Sequence, residues 1–415
     1  MQSYLEARLR QVLHSAATSA YYREKWRAAG ISAAKLAEIT PETLYRLPIL
    51  PKDDVRLSPL VFLPESARRS GRKYSFFTSG STGTPLRAIC SREAHQRFMA
   101  AREVRSFGWA GTSLRRPRAM IGGRLIVPDG RADPPFYRYN IAERQVYLSA
   151  YHIAPAHVSD YVRGLNRYRP DVITGYAFSQ ATLARMMHQQ GLALEYVPRA
   201  AITSSEKLTA EMRAIIFNAW GCRAYQKYGS VENCCLATEC EFGGLHVSPD
   251  FGILEIVDDD GYPVPAGVEG RVLCTGLLND TQLLIRYDIG DLAAWSKDTC
   301  PCGRDHLPLL QELSGRVEDA VIGSDGRELV RFHGVFVNLP HVMMGQVVQI
   351  STTEYLVRVV AESGFGEAEI QEIRRRFSER LGEVKVHVET SSDLERTANG
   401  KVKAVINRCF EKAKP

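Results

Sequence analysis

The sequence predicts an α/β protein with a large N-terminal multilayer α/β domain and a small C-terminal α+β domain. Its 415 residues exceed the size of one ordinary domain. Short β-type runs alternate with helical stretches between Tyr74 and Arg316, which is typical of α/β proteins. Beyond Arg316, a strand, an amphipathic helix and a second strand form a set of about 100 residues, enough for one domain. The predicted domains are therefore residues 1–317 and 318–415.

The composition favours a soluble globular protein, with a modest positive charge that would also suit anionic small molecules such as ATP. Hydrophobic residues make up 45% of the chain and charged residues 24%, which suffices for a sizeable core. The net charge of +6 is spread along the chain, and the densest basic runs, at 115–118 and 374–376, are short. Nucleic-acid binding needs a more concentrated basic stripe, so no nucleic-acid partner is expected.

Targeting signals and cysteine usage predict a soluble cytoplasmic protein. The first 26 residues have apolar positions at helical spacing and no unbroken apolar run, unlike a signal peptide. No stretch approaches the roughly 20 apolar residues that a membrane span needs, so no membrane partner is expected. Nine cysteines, irregularly spaced, argue against a disulfide framework and for a reducing compartment.

The individual elements follow from apolar periodicity and from proline and glycine positions. Before Arg72 the chain reads as helices broken by Pro41, Pro48 and Pro51. Strands are then predicted at 118–121, 171–175 and 200–203, and helices at 180–190 and 209–220. Turn-rich β structure begins near Asp250, with strands at 253–257 and 270–275 and an acidic hairpin turn at 258–261. In the small domain, strands are predicted at 354–360 and 384–389 and a helix at 367–381.

The segment at 74–85 has the composition of a phosphate-binding loop. Aromatic strand residues run into seven small residues, Thr78 to Thr84, which Pro85 ends. Glycines let successive backbone N–H groups converge on an anion, and the hydroxyls add further donors. The Gly-Lys-Ser/Thr ending of a Walker loop is missing. The alternative is a flexible Ser/Gly turn without a ligand.

Two further segments place carboxylates beside tight turns. In Tyr228-Gly-Ser-Val-Glu232 the glutamate is a candidate Mg²⁺ ligand, because Mg²⁺ prefers oxygen ligands that it shares with phosphates. In the run at 284–292, Asp288 and Asp291 flank a turn, and a carboxylate can accept two hydrogen bonds from ribose hydroxyls. Each segment, taken alone, is also readable as an ordinary charged turn.

The last two segments lie at the domain junction and near the C-terminus. Gly315-Arg-Val-Glu-Asp319 by itself reads as a polar linker. In the run at 396–403, Lys401 follows a glycine and has the reach to neutralise a reacting carboxylate and an α-phosphate. The alternative for a lone lysine is a solvated surface position.

In this order and spacing the five segments resemble the adenylate-forming superfamily of acyl-CoA synthetases, adenylation domains and luciferases. The resemblance covers about residues 40–406. The run Leu47-Pro-Ile-Leu-Pro-Lys-Asp-Asp54, the short N-terminal region and the Cys300-Pro-Cys302-Gly-Arg knuckle are similar to the branch of phenylacetate-CoA ligases and capsular-polysaccharide-type ligases. The fold that this implies is the adenylate-forming fold with a mobile C-terminal lid.

The resemblance also implies residue roles. The β- and γ-phosphates would be held by Thr78, Ser79, Gly80, Ser81, Thr82 and Gly83. Further nucleotide contacts are implied for Ser205, Glu206, Tyr228, Gly229, Asp291 and Arg316, with Asp291 on the ribose. The implied catalytic residues are Lys401, Glu232 as the Mg²⁺ ligand, and Thr82. Glu318 falls at the hinge, where many members have aspartate.

A structural zinc site is implied by the same branch. The candidate ligands are Cys240, His246, Cys300 and Cys302, a set of three thiolates and one imidazole that suits tetrahedral Zn²⁺. The pair Cys234-Cys235 is interpreted as pocket wall or core, because buried cysteine usually packs as a small hydrophobe.

The implied reaction is ATP- and Mg²⁺-dependent formation of an acyl-AMP with release of pyrophosphate, followed by acyl transfer to a thiol such as coenzyme A. By analogy with the branch, the acid is expected to be aromatic. Pocket candidates are Tyr151, His152, Tyr176, Phe178, Ser204 and Tyr228. The runs at 320–330 and 332–340 depart from typical phenylacetate-CoA ligases, so an amine, a hydroxyl or a carrier-protein thiol is the alternative acceptor.

Two other functional classes are less well supported by the sequence. A nucleic-acid- or protein-binding module built on the zinc knuckle would need basic and aromatic residues beside it, and 298–308 offers Arg304 and His306 against Asp298 and Asp305. A nucleotide-binding pseudoenzyme would be expected to lose Lys401 or Glu232, and both are present. A homodimer is compatible with the branch.

Overall fold

The computed structural model describes residues 1–69, 71–77, 86–122, 124, 126–127, 133–316, 321–322, 328–329, 335–336, 339–396 and 402–409. The chain divides into two compact units, one of Met1–Leu114 with Tyr225–Leu313 and one of Arg115–Ala224 with Ser314–Pro415. The predicted α/β class is confirmed. The predicted domain boundary after residue 317 lies outside the described residues and stays a prediction.

The helices are numbered in chain order. They are α1 (Gln2–Ala16), α2 (Ala20–Ala28), α3 (Ala33–Ala37), α4 (Lys52–Leu57), α5 (Glu65–Arg69), α6 (Arg92–Arg102), α7 (Val158–Tyr168), α8 (Ala177–Gln189), α9 (Ala210–Trp220) and α10 (Glu367–Leu381). Short 3₁₀ turns cover Pro41–Arg46 and Pro155–His157, and a π-helical turn covers Glu103–Phe107. In the described part of the chain, no helix combines the length and the apolar character that crossing a bilayer requires.

The strands are also numbered in chain order. They are β1 (Lys73–Phe77), β2 (Arg87–Ser91), β3 (Arg118–Gly122), β4 (Tyr137–Asn140), β5 (Gln145–Ser149), β6 (Val172–Tyr176), β7 (Ala200–Ser204), β8 (Ala224–Gly229), β9 (Leu236–Glu239), β10 (Leu245–Val247), β11 (Gly252–Val257), β12 (Glu269–Gly276), β13 (Tyr287–Trp295), β14 (Leu309–Arg316), β15 (Val321–Ile322), β16 (Glu328–Leu329), β17 (Val342–Gln349), β18 (Glu354–Ala361), β19 (Lys385–Thr390) and β20 (Val405–Asn407).

The first unit packs its N-terminal helices around an antiparallel sheet. The sheet order is β11-β12-β13-β14-β10-β9-β8, and β1 and β2 form a separate hairpin. Helix α1 buries Leu9, Val12 and Leu13, which recur at helical spacing, in a core shared with Tyr287 of β13. Ser19, Ser32 and Ser91 cap α2, α3 and α6 by accepting backbone N–H bonds, so side chains fix where these helices begin.

The second unit contains a mostly parallel sheet. Its order is β7-β6-β3-β5-β4, with β3, β5, β6 and β7 parallel and β4 antiparallel at the edge. The core between this sheet and helices α7, α8 and α9 includes Ile121, Ile173 and Leu183. The parallel strands end at Gly122, Ser149, Tyr176 and Ser204. Carboxyl ends of parallel strands lie along one edge of a sheet, where α/β proteins usually bind ligands.

The C-terminal part of the second unit has its own sheet, in the order β19-β18-β17-β20. Helix α10 buries Ile373 and Phe377 against Tyr355 and Val357 of this sheet. The predicted helix at 367–381 and the predicted strands at 354–360 and 384–389 are confirmed in type and position. Apolar periodicity alone was sufficient here, because each element exposes one polar face.

Candidate active site

The turn after β8 holds a buried carboxylate. Glu232 is only 5% exposed, and its Oε1 accepts a 2.8 Å hydrogen bond from the phenol of Tyr287. Burial, together with the neighbouring Glu232, raises the pKa of Tyr287 well above its usual range, so the phenol remains a donor. Oε2 of Glu232 forms no hydrogen bond with the described residues. Tyr287 therefore holds one oxygen of Glu232 in place and leaves the other available to a ligand.

A second hydrogen bond joins two of the predicted motifs. The phenol of Tyr228, on β8, donates to Oδ2 of Asp291, on β13, at 2.8 Å. Burial and the adjacent Asp291 raise the pKa of Tyr228 well above its usual range. Tyr228, a candidate nucleotide contact, and Asp291, the candidate ribose carboxylate, are 63 residues apart and in direct contact.

The run Leu47–Asp54 supports the turn that carries Asp291. Leu50 forms a parallel β-bridge with Tyr287. Its carbonyl oxygen accepts the N–H of Asp288, and its own N–H donates to the carbonyl oxygen of Arg286. Lys52 Nζ donates to Ile289 O at 3.2 Å. Gly290 has φ +80°, a conformation that favours glycine, and its N–H donates a hydrogen bond to Oδ1 of Asp288. This segment, noted in the sequence only as a resemblance, therefore has a structural role beside the candidate ribose site.

Arg286 is a buried residue that the sequence reasoning missed. It is 2% exposed, has φ +49°, and pairs with Glu255 at 3.1 Å. Its guanidinium also donates to Leu47 O and Gly261 O, each at 2.6 Å. Burial raises the pKa of Glu255, and the guanidinium opposes this shift. The only signal in the sequence is an arginine inside the apolar run at 283–289.

Five of the predicted pocket residues lie in the second unit, close to the carboxyl ends of its parallel strands. Tyr151 and His152 follow β5, Tyr176 ends β6 opposite Ser204 of β7, and Phe178 lies in the first turn of α8. The His152 ring stacks on Phe136, with centroids 4.8 Å apart, and its Nδ1 lies 2.7 Å from Oγ of Ser149. The sixth pocket candidate, Tyr228, lies in the first unit.

Glu206 and Arg396 connect the residues on either side of the predicted catalytic lysine to the start of α8. Its carboxylate accepts the N–H of Phe178 at 2.9 Å and that of Val402 at 3.2 Å. Arg396 pairs with Val402 in a β-bridge and places its guanidinium 5.2 Å from the centroid of the Phe178 ring. Ser205, beside Glu206, has φ +71°. Residues 396 and 402 are thus docked on the start of α8.

Several predicted residues cannot be placed. Thr78, Ser79, Gly80, Ser81, Thr82, Gly83, Glu318 and Lys401 lie outside the described residues, as does the side chain of Arg316. Their roles stay predictions.

The four candidate zinc ligands are brought together in the first unit. Their ligand atoms lie within 4.8 Å of one another, with Sγ of Cys240 and Cys300 3.5 Å apart and Cys302 Sγ 3.2 Å from Nε2 of His246. A tetrahedral zinc with Zn–S of about 2.3 Å would set S···S separations near roughly 3.8 Å. Nδ1 of His246 lies 3.3 Å from Leu307 O, and donation to this carbonyl leaves Nε2 for a metal. Burial lowers the pKa of His246, which favours the neutral ring that a ligand needs.

The surroundings of this cluster include residues that the sequence reasoning did not single out. The Trp109 ring meets His246 edge-on at 6.0 Å, and the Arg304 guanidinium lies 4.5 Å from the Trp109 centroid. Arg304 also pairs with Glu241 at 2.9 Å. A second group of cysteines, Cys234, Cys235 and Cys274, is fully enclosed, and the prediction that the first two are buried is confirmed.

Comparison with known sequences gives three matches. The family model of the CapK C-terminal domain matches residues 322–408. Protein CapK of Staphylococcus aureus is 28% identical over 273 residues, 66% of this chain and 58% of the relative. Phenylacetate-coenzyme A ligase of Thermus thermophilus is 28% identical over 258 residues, 60% of this chain and 54% of the relative. The chain thus spans little more than half the length of these curated relatives.

Comparison with solved structures extends the likeness to the whole fold. A 2-hydroxyisobutyryl-CoA ligase in the postadenylation state, in complex with R3-HIB-AMP, superimposes with a TM-score of 0.73 at 21% identity, over 99% of this chain and 90% of its own. The amide bond synthetase McbA of Marinactinospora thermotolerans superimposes with a TM-score of 0.53 at 19% identity, over 79% of this chain and 66% of its own. At these identities the likeness concerns the fold. Together with the sequence matches, it makes the chain similar in fold to adenylate-forming enzymes and similar in sequence to the phenylacetate-CoA ligase-like branch of that superfamily.

Proposed function

We propose that the protein activates a carboxylic acid with ATP, forms an acyl-AMP with release of pyrophosphate, and transfers the acyl group to a thiol such as coenzyme A. One pair of hydrogen bonds supports this function most directly. Tyr228 bonds to Asp291 and Tyr287 to Glu232, which couples the candidate ribose and Mg²⁺ carboxylates of two distant motifs. An ordinary surface turn would not be expected to contain a buried phenol–carboxylate pair, Tyr287–Glu232, beside a partly buried one, Tyr228–Asp291.

The first half-reaction overcomes the poor leaving ability of a carboxylate oxygen. A carboxylate oxygen of the acid attacks the α-phosphorus, the bond from that phosphorus to the bridging oxygen breaks, and pyrophosphate leaves. The enzyme contributes positioning and neutralisation of negative charge. Residues 78–83 would hold the β- and γ-phosphates, Asp291 the ribose, and Lys401 the acid's carboxylate and the α-phosphate.

Glu232 fits the role of Mg²⁺ ligand. Mg²⁺ prefers oxygen ligands such as a carboxylate. Tyr287 holds one carboxylate oxygen of Glu232 and leaves the other without a partner among the described residues. When bound, Mg²⁺ neutralises charge on the phosphate oxygens. Tyr287 in turn keeps Glu232 oriented by a hydrogen bond that water does not reach, because the tyrosine is fully buried.

Glu206 and Arg396 are proposed to position the segment that carries Lys401. Glu206 accepts a hydrogen bond from the N–H of Val402, the residue after the lysine, and the Arg396 guanidinium lies over the Phe178 ring. Catalysis by a single lysine depends on placement within a fraction of an ångström. This role through the backbone is proposed in addition to the direct nucleotide contact that the resemblance implies.

The cluster of Cys240, His246, Cys300 and Cys302 is proposed to bind a structural Zn²⁺. The donor set and its separations fit a closed tetrahedral site, which leaves no position for a reacting group. The ligands come from the end of β9, from β10 and from the loop before β14, so a bound ion would tie the β9–β10 hairpin to that loop.

The acid and the acceptor are the finer parts of the proposal. An aromatic acid is favoured by the ring-rich end of the second unit's sheet, where Phe136, Tyr151 and Tyr176 lie near strand termini. Coenzyme A as acceptor agrees with the 2-hydroxyisobutyryl-CoA ligase neighbour that is in complex with CoA. Transfer to an amine, a hydroxyl or a carrier-protein thiol is the alternative, supported by the departures at 320–340 and by the likeness to an amide bond synthetase.

Acid-dependent pyrophosphate release tests the proposal. The purified protein is incubated with ATP, Mg²⁺ and a panel of benzoate-, phenylacetate-, anthranilate- and hydroxyanthranilate-type acids, with hydroxylamine as trap and with or without coenzyme A. We expect a hydroxamate with at least one acid, and its loss in Lys401→Ala but not in Lys385→Ala, a change at an exposed lysine of β19. ATP binding without pyrophosphate release from any acid would contradict the proposal.

A further inference from the structure

Three cysteines of the first unit, Cys234, Cys235 and Cys274, form a cluster that is separate from the candidate zinc ligands and is called the thiol cluster below. Cys234 and Cys235 follow the turn that carries Glu232, and Cys274 lies two residues before the end of β12. The three Sγ atoms lie within 4.8 Å of one another. Each residue is at most 2% exposed, and each thiol is free. The adenylation mechanism proposed above does not use them.

Two glycines allow the chain to bring these thiols together. Gly252 of β11 and Gly276 of β12 lie directly opposite each other. A Cβ at Gly252 would lie 1.9 Å from the carbonyl oxygen of Cys234, and a Cβ at Gly276 would lie 3.5 Å from its Cα. The backbone of Cys234 therefore packs on this face of the sheet. Cys274, two residues before Gly276, projects from the same face.

The thiol cluster borders the Tyr287–Glu232 pair of the candidate active site. Cys274 lies directly opposite Tyr287 in the register of β12 on β13, so the thiol and the phenol share one face of the sheet. Tyr287 donates its hydrogen bond to Glu232, two residues before Cys234. Oγ of Ser230, in the same turn, lies 3.8 Å from Sγ of Cys234. An atom bound by these thiols would therefore affect the placement of Glu232.

The arrangement of the three sulfurs suits a thiophilic atom. Soft thiolate ligands bind soft metals and metalloids in preference to hard cations such as Mg²⁺. Three thiolates bound to one atom at about 2.3 Å, the length of a zinc–thiolate bond, lie roughly 4 Å or less from one another. The observed sulfur positions approach this arrangement, so binding requires only a small adjustment of the side chains.

Net charge limits which thiophilic atom the thiol cluster can hold. Three thiolates around a monovalent or divalent cation keep a net negative charge, which is costly to enclose away from water. The nearby carboxylate of Glu232 adds to that cost. The candidate zinc ligands differ, because Cys300 and Cys302 are partly exposed. A trivalent atom balances three thiolates and gives a neutral complex.

We propose that the thiol cluster is a binding site for a trivalent arsenical, and that its occupation disturbs Glu232. Arsenous acid, As(OH)₃, would condense with the three thiols. Three As–S bonds replace three As–O bonds, the thiol protons leave with the hydroxyl groups as water, and no oxidation state changes. Because the thiols are enclosed, binding depends on local opening and should be slow. The binding is independent of the proposed adenylation function, whereas the effect on Glu232 rests on it.

Arsenic analysis tests the site in the full-length protein supplied with zinc. The wild type, Cys274→Ala, Cys234→Ala and Cys222→Ala are incubated with increasing arsenite, desalted and analysed for arsenic and zinc. Cys222 is the matched control, because it is a buried free cysteine outside both clusters. We expect stoichiometric arsenic in the wild type and in Cys222→Ala, with three sulfur neighbours in the arsenic X-ray absorption spectrum. In Cys274→Ala and Cys234→Ala the arsenite concentration for half-occupancy should rise about 100-fold, since one arm of a chelate is lost.

Zinc content and activity separate the remaining outcomes. Zinc should be retained, and arsenite-treated wild type should need more Mg²⁺ for half-maximal pyrophosphate release, whereas treated Cys274→Ala should not. If Cys274→Ala does not fold, Cys274→Ser replaces it. Equal arsenic in Cys274→Ala and wild type, two sulfur neighbours instead of three, or zinc lost in proportion to arsenic would each overturn the site. Bound arsenic with an unchanged Mg²⁺ requirement would overturn the effect on Glu232. Bound arsenic in a protein that, untreated, releases no pyrophosphate with any acid would support the site and contradict the adenylation function.

Discussion

Oε1 of Glu232 and the phenol of Tyr287 are joined by a 2.8 Å hydrogen bond between two buried side chains. The glutamate is in the loop after β8, and the tyrosine begins β13. The same strand carries Asp291, which receives the phenol of Tyr228. Strand β13 thus carries Asp291 itself and also Tyr287, the donor to Glu232. A substitution in this strand can therefore affect both candidate carboxylates.

Removing the Tyr287 hydroxyl should weaken the placement of Glu232. In Tyr287→Phe we expect kcat/KM for pyrophosphate release to fall about 10- to 150-fold, as for loss of a hydrogen bond to a charged group. The Mg²⁺ concentration for half-maximal rate should rise, which a purely structural effect would not cause. Steady-state rates across a Mg²⁺ titration measure both. Tyr262→Phe, at an exposed tyrosine, is the control. An unchanged Mg²⁺ requirement would argue against the role of Glu232.

Glu206 should affect catalysis through the segment that follows Lys401. Glu206→Gln keeps the size of the side chain but leaves one acceptor oxygen for the two N–H groups of Phe178 and Val402. We expect kcat for adenylation to fall about tenfold or more while the KM for ATP changes little. Initial rates at varied ATP separate the two parameters, with Glu195→Gln at an exposed position as the control. A raised KM for ATP with unchanged kcat would instead indicate direct nucleotide contact.

Loss of the cysteine–histidine cluster should reduce stability without abolishing chemistry. In Cys302→Ser we expect the bound zinc to be lost, and a destabilisation of about 2 kcal/mol would lower the melting temperature by about 4–8 °C. Metal analysis and thermal denaturation, with and without a chelator, measure the two effects. Cys409→Ser, outside the cluster, should change neither. Equal melting temperatures for chelated and untreated wild type would contradict a structural zinc.

Lys227 should make stability depend on pH in a defined window. Its pKa is lowered to about 7 in the folded protein, whereas an unfolded lysine has a pKa of about 10.4. Between these two pKa values the unfolded chain binds more protons at this position than the folded protein does. The free energy of unfolding therefore rises with pH across this window, and the destabilisation caused by Lys227 is fully present below pH 7. Lys227→Met should therefore melt above the wild type at pH 7, and this gap should shrink towards pH 10.

Thermal denaturation of both proteins from pH 6 to 10 measures that gap, and Arg97→Met controls for the loss of a surface cation. Burial lowers the pKa of His95 and of Arg102 as well, so the comparison is made between the wild type and Lys227→Met, in which both residues are retained. A gap that is constant with pH would contradict the lowered pKa.

Local patterns in the sequence predicted most of the fold. Helix α10 and strand β18 follow from periodicity, because each has one buried face whose residues are close together in the chain. The same holds for the hairpin of β11 and β12 around its acidic turn. Motif residues such as Glu232 and Asp291 were found because each motif is a contiguous run.

Contacts between distant residues could not be predicted in this way. The partner of Tyr228 is 63 residues away and that of Glu206 is 196 residues away, and no local pattern relates them. The placement of Lys227 opposite Thr238 likewise depends on the register of β8 on β9. The four zinc-ligand candidates followed from the resemblance to the branch, but their proximity became visible only in three dimensions.

Arg286 has a consequence for the order in which the chain can fold during synthesis. Its guanidinium closes on the carbonyl groups of Leu47 and Tyr45, which precede it by 239 and 241 residues. The N-terminal helices thus leave the ribosome long before the residue that completes their packing, and contacts of such large sequence separation form slowly. We expect a fragment ending at residue 114 to expose the apolar face of α1 and to need protection from aggregation until β13 has been made.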